Sequence, residues 1–413
     1  MELALTAITS TSRRYDIDAL RVLAFGLLIL YHCAMVYVAG WDYHIKSAHT
    51  AVWLQAPMLL LNQWRMSLLF LISGLAMNFL LRSRALTATA GNSFWNLFGS
   101  RSHRLLWPLL FGVLVIVPPQ AYVQAVTNGA VEPGYWHFLY RYFTFQPWPT
   151  NAFDGSDLGI TYNHLWYLPY LWAYTVVLIA LLPLLRSARG QALVQRFQSL
   201  RGLALWLVPT IVFFVLTTLL RARFPERHDF VHDWNSHAQY FTVFAIGFGL
   251  GENIGIWQEL KRLRWYSLAL AVCSYAALMV IFVTLPEQPD TAFKLKAYWV
   301  LSCDKWFWLC AVLGWGHYLL NRPFLWLPYA TDAVFPWYIL HQTFIVLGAY
   351  ALTKLDLGPI LEPTLLIGIT IGGCLLVHEF VIRRTPWLHP LFGMKTRHTQ
   401  ARENKDGSVL SLT

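Results

Sequence analysis

The chain has 413 residues, of which 57% are hydrophobic and only 13% charged, with a mean hydropathy of +0.45. Soluble globular chains rarely combine these values, so an integral membrane protein is expected. The net charge of +10 does not point to nucleic acid. The basic residues sit in short stretches between apolar runs, where such clusters set topology and meet anionic lipid.

In chain order, residues 1–14 are polar and read as a disordered tail. They lack the basic start and short apolar core of a cleaved signal peptide, so the first apolar run is expected to be retained. Ten apolar runs follow, at roughly 18–39, 58–82, 103–126, 163–186, 203–221, 237–252, 265–285, 296–319, 332–352 and 359–382. The expected fold is therefore all-α: one membrane domain over 15–384, about ten transmembrane helices, then a polar tail over 385–413. Of the lysines and arginines, 20 fall on the N-terminal side of this arrangement and eight on the other. That asymmetry predicts both termini in the cytoplasm. The five cysteines show neither metal-ligand spacing nor a disulfide framework.

The first run, DALRVLAFGLLILYHCAMVY, carries Asp18, Arg21 and His32. Arg21 and His32 are close to three helical turns apart and so share a face, with His32 roughly 16 Å deeper and near the middle of a bilayer core about 30 Å thick. Ionisable groups at such depth face a bundle interior or a cavity. Asp18, one turn before Arg21, reads equally well as a helix cap. In the second run Arg65 (LNQWRMSLLFLISGLAM) sits where the outer headgroups are expected, as a snorkelling residue or one that faces a central cavity. Arg101 and Arg104, one turn apart at the inner end of the third run, offer two forked donors to phosphate oxygens, or serve only as topology anchors.

The longest outer loop, about 127–162, is rich in Pro, Gly and aromatic residues and reads as a lid, a binding segment or an interfacial element. Asn163, His164 and Trp166 open the fourth run from outside, and His341 lies within the ninth. These four are the candidates to line an acceptor cavity. Asp304 and Lys305, adjacent in the eighth run, point about 100° apart and need separate partners. Glu379, near the inner end of the last run, is placed to meet the inner arginines. No repeated His spacing supports paired haem ligands, and no metal is expected.

These residues together carry a resemblance. The arrangement Arg21-x10-His32 after YDIDALR, the WRMSLLFLISGLAM segment, Arg101-x-x-Arg104, HLWYL at 164–168, FAIGFGLGE at 244–252, YILHQ at 338–342 and RTPWLHPLFG at 384–393 recur in this order in the acyltransferase-3 family of membrane O-acyltransferases, which the chain resembles over nearly its whole length. The resemblance implies transfer of an acetyl or succinyl group from cytoplasmic acyl-CoA to a hydroxyl of a periplasmic or cell-surface glycan, in the bacterial inner membrane. Osmoregulated periplasmic glucans are among the acceptors it suggests. It implies His32 as the catalytic histidine, and Arg21, Arg101 and Arg104 as residues that serve the donor. The esterase-like domain that some members carry is not expected here.

Acyl-CoA enters this reading as a substrate, with no tightly bound cofactor. His32 would act either as general base on the acceptor hydroxyl or as a nucleophile that relays the acyl group, and the sequence does not separate these routes. Arg21 or Arg65 would stabilise the oxyanion. The competing reading is a transporter or flippase whose permeation path Arg21 and His32 line, although the paired repeats common in transporters are not seen. The sequence says nothing of oligomeric state.

Overall fold

A computed structural model describes residues 13–86 and 94–394. Most of the expected N-terminal tail, the connection at 87–93 and the basic residues from Lys395 onward lie outside the described residues. Within them the chain forms fifteen α-helices and no strand. They are α1 (Tyr15–Met35), α2 (Gln55–Asn62), α3 (Arg65–Leu86), α4 (Phe94–Phe111), α5 (Pro118–Thr127), α6 (Tyr135–Phe143), α7 (Tyr167–Arg186) and α8 (Ala188–Gln198). Then come α9 (Leu203–Leu220), α10 (Trp234–Leu250), α11 (Ile254–Arg262), α12 (Arg264–Val283), α13 (Thr291–Leu319), α14 (Leu327–Leu352) and α15 (Gly358–Leu376).

Six helical segments are long and apolar enough to cross a membrane, or seven if the bent α4–α5 pair is one span. The other three expected runs form helices α10, α13 and α14, which are not among these segments. α10 is 17 residues long, and Asp304 and Lys305 lower the hydropathy of α13. The result is a multi-pass membrane architecture in which the more polar helices take the interior. Trp306, Tyr338, Phe244 and Phe70 are among the largest side chains fully withdrawn from solvent.

Small residues set the closest helix crossing. A Cβ on Gly74 of α3 would stand 1.9 Å from the Phe244 carbonyl oxygen of α10, and one on Gly247 would stand 2.0 Å from the Leu71 carbonyl oxygen. Backbone therefore meets backbone, as small-residue interfaces allow between helices that gain little from hydrophobic contact in lipid. This crossing gives a physical role to the glycines of the SGLAM and FAIGFGLGE segments.

The bend between α4 and α5 also has a local cause. A π-helical turn over Gly112–Ile116 precedes Pro118 and Pro119, which lack N–H groups, and the axis turns by 43°. The freed Ile116 carbonyl accepts a bond from Thr343 Oγ1 at 2.7 Å, and Gln120 Nε2 donates to the same hydroxyl at 2.7 Å. The kink is thereby fixed to α14 two residues beyond His341.

The two ends of the bundle differ. At one, Asp16 is fully buried and accepts from Arg14 at 2.9 and 2.7 Å and from His317 of α13 at 2.8 Å. Arg14 lies over Trp257 at 4.0 Å, and Arg82 pairs with Glu252 at 3.3 Å. At the other end His49 meets Asp356 at 2.7 Å. The aromatic loop is folded there around its own small core, with α6 packing Phe138 and Tyr142 against Phe153 and Trp148. Residues 386–392, expected in a polar tail, instead form a 3-10 turn. Leu388 and Phe392 are buried, and Phe392 meets Phe111 edge-on, because apolar side chains in this segment gain more by packing than by staying in water.

Replacing Gly247 by Val should force the α3–α10 crossing apart and cost about 1–3 kcal/mol or more. The check is a fall in the thermal midpoint of the detergent-purified protein, with a Gly247→Ala variant intermediate.

Candidate active site

The site forms where α1, α14, the start of α3 and the turn before α7 converge. His32 is half-buried on α1; His341 on α14 and His164 are buried, at 0% and 6% exposure. His32 Nδ1 lies 2.9 Å from His341 Nε2, with the two rings near-parallel at 2°. His164 meets His341 edge-on, at 5.2 Å between ring centroids.

The surrounding carbonyls assign the protons. His341 Nδ1 lies 2.8 Å from the Tyr338 carbonyl oxygen and 3.1 Å from that of Trp337, and carbonyls only accept. Nδ1 therefore carries the hydrogen, and Nε2 of the neutral ring holds a lone pair. His32 must then donate from Nδ1, which leaves the lone pair of its Nε2 free, and no described residue bonds to that atom. His164 donates from Nε2 to the Ile339 carbonyl at 3.1 Å, and its Nδ1 is buried without a partner. The His32–His341 pair thus presents one basic nitrogen, on His32, while the other free lone pair of the cluster, on His164 Nδ1, is buried.

Arg65 completes the site. It is 4% exposed at the first position of α3, and its guanidinium lies 3.7 Å from the centroid of Tyr31, the residue before His32. No carboxylate pairs with it among the described residues, and its Nε and Nη1 are buried without acceptors. An unpaired buried cation costs several kcal/mol. It is held here by the aromatic face and waits for an anion.

The other expected residues lie elsewhere. Arg21, three turns below His32, donates to Asp18 at 3.0 Å and does not reach the histidines. Asp18 is not a cap: the helix begins at Tyr15 after Arg14, and Asp18 lies in the first turn, bridging Arg13 at 3.2 Å and Arg21. A carboxylate there still favours the helix N-terminus. Arg101 is half-buried with Nη2 3.3 Å from the Met77 sulfur, and Arg104 is exposed. Glu379 meets Arg383 four residues on, at 2.8 Å.

Asn163 takes a left-handed backbone, φ 46°, at the turn that delivers His164, a conformation Asn tolerates better than most residues. Trp166 stacks on His228 at 4.3 Å and on Tyr240 at 5.7 Å, away from His32. Two nearby polar arrangements went unforeseen. Gln342 Nε2 donates to the Tyr43 hydroxyl at 2.7 Å, and His44 Nδ1 meets Gln124 Oε1 at 2.7 Å. The YILHQ segment carried the signal for Gln342; nothing in sequence joined His44 to Gln124.

The structure is a helical membrane bundle in which a histidine pair with a free imidazole nitrogen lies close to a guanidinium that no carboxylate pairs among the described residues. Residues 14–379 match the family described as Acyltransferase domain, and the chain belongs to this acyltransferase-3 family. It is also similar to proteins named Glucans biosynthesis protein C from Escherichia coli O1:K1, strain S88 and strain UTI89, each 22% identical over 395 residues, covering 93% of this chain and 95% of the relative. No solved structure matches the chain.

Exchanging His341 for Ala removes the acceptor that orients His32. The expected result is a loss of turnover of up to about 10⁴-fold with little change in donor KM, as for other residues that hold a catalytic imidazole in one tautomer. Gln at the same position keeps an accepting oxygen and should restore part of the rate, an outcome that a purely structural role would not produce.

Proposed function

We propose that this acyltransferase moves an acetyl or succinyl group from acyl-CoA to a hydroxyl of a periplasmic or cell-surface glycan, in the bacterial inner membrane. The observation that carries the reading is the juxtaposition of the free His32 Nε2 lone pair with the unpaired Arg65 guanidinium. An O-acyl transfer needs both: a base for the hydroxyl proton and a positive group where negative charge develops. The glycan acceptor, and glucan in particular, is supported by the names of the relatives.

In this reading the acceptor hydroxyl gives its proton to His32 Nε2 as its oxygen attacks the thioester carbonyl. The imidazolium keeps its Nδ1–H on His341, so the ring does not rotate during the step. The tetrahedral oxyanion forms against the Arg65 N–H groups, a type of interaction that commonly supplies a large share of the rate. Collapse expels the CoA thiolate, which takes up the proton. The relay in which His32 itself carries the acyl group uses the same lone pair.

The donor enters at the end marked by Arg14, Arg21 and Arg82, where Arg101 and Arg104 meet its phosphates. His32, about three turns into the bundle, is where such a donor and an acceptor from the opposite end would meet.

Labelled acyl-CoA supplied to the reconstituted protein tests this. His32→Ala should lower transfer by at least 10²–10⁴-fold, and ordinary turnover in a folded variant would end the proposal. Joint replacement of Arg101 and Arg104 by Gln should raise the donor KM more than the acceptor KM. Unchanged donor affinity would return that pair to a topological role.

A further inference from the structure

Lys305 lies in a polar cleft at the Arg65 end of the bundle. The cleft encloses about 690 Å³ including its open mouth, and Asn62, Gln63, Asn235, Gln239 and Tyr240 line it together with Lys305. Its position follows from the chain: Asn62 and Gln63 are the residues just before Trp64 and Arg65, so the cleft lies at the α2–α3 junction that leads into the candidate active site.

The cleft is built, not accidental. Gln239 is 4% exposed and donates from Nε2 to Thr217 Oγ1 at 2.8 Å and to the Phe213 carbonyl at 3.2 Å. Its Oε1 is thereby aimed at Lys305 Nζ, 2.9 Å away. No carboxylate lies within ion-pair distance of Lys305 among the described residues, so the ammonium is held by a neutral amide and keeps further N–H donors to offer. Asn235, 5% exposed, leaves Oδ1 buried without a partner. Donors with no acceptor and an acceptor with no donor thus face the same space.

Hydroxyl groups satisfy both demands at once, because each donates and accepts. The mouth carries charges of both signs: Arg221 and Lys305 are accompanied by Glu226, which accepts from Tyr240 at 3.3 Å and meets His228 at 3.3 Å. Tyr240 adds an aromatic face to one wall, with Trp166 packed against it. We propose that this cleft is the subsite that holds the sugar residues of the glycan acceptor, with Asn235 and Lys305 reading ring hydroxyls while the reacting hydroxyl reaches toward Arg65 and His32. The assignment rests on the acyl-transfer reading for the identity of the reaction, and on the cleft alone for the chemistry of its occupant.

The test separates the two. Fluorescently labelled glucohexaose is titrated, without any donor, into the full chain in lipid nanodiscs, as wild type, Asn235→Ala, Lys305→Gln and the rim double variant Asn62→Ala/Gln63→Ala. The expected result is saturable binding that weakens about tenfold or more in each variant. In transfer assays with labelled acyl-CoA the same variants should raise the acceptor KM by a similar factor, with donor KM within about twofold. Glucohexaose binding that none of the variants alters would overturn the subsite, as would the absence of binding to the wild type. Binding that follows the cleft in a protein that never transfers acyl groups would keep the subsite and sink the enzymatic reading. The rim variant, on exposed Asn62 and half-buried Gln63, guards against loss of fold in the more buried ones.

Discussion

The bond between His32 and His341 depends on a constraint that runs through the whole bundle. A polar atom taken out of water must find its partner inside the protein. His341 spends its Nδ1–H on a carbonyl of its own helix, which leaves only its accepting nitrogen for α1. That single choice sets the tautomer of His32 and aims its basic nitrogen away from both helices. The same constraint explains how the kinked α4–α5 segment is docked: the carbonyl released by the prolines is taken by Thr343, close along α14 to His341. The catalytic geometry and the helix packing are solved by one set of hydrogen bonds.

Where the constraint is not met, the exceptions are spread through the bundle, and several fall at the site and the cleft. Arg65 Nε and Nη1, His164 Nδ1 and Asn235 Oδ1 are all buried without partners. At the opposite end of the bundle the most buried charge, Asp16, is fully matched by Arg14 and His317. Unspent hydrogen-bonding capacity at a site is where a ligand gains most by binding.

Much of the site was legible along the chain because depth and face follow from helical geometry. His32 was marked by its place near the middle of an apolar run, and His164, His341 and Arg65 by charge or imidazole in surroundings that penalise them. Arg21 shares the face but not the site, since three turns separate them and Asp18 holds its guanidinium. Asp18 looked like a cap because it precedes the apolar run; the helix begins three residues earlier, where Asp16 is tied to α13. Lys305 had no nameable partner, because its partner is an uncharged amide 66 residues away.

By itself the sequence determined the membrane character, the all-helical class, the family and the set of costly polar residues, because these depend on composition, run length and spacing within one helix. Only the tertiary structure decided which of those residues meet. His32 and His341 are 309 positions apart, and the backbone contact at Gly74 and Gly247 joins segments that no local pattern relates. Proton positions, the isolation of Arg65 and the orphaned atoms of the cleft are properties of pairs and of missing pairs. They exist only once distant helices have been packed together out of water.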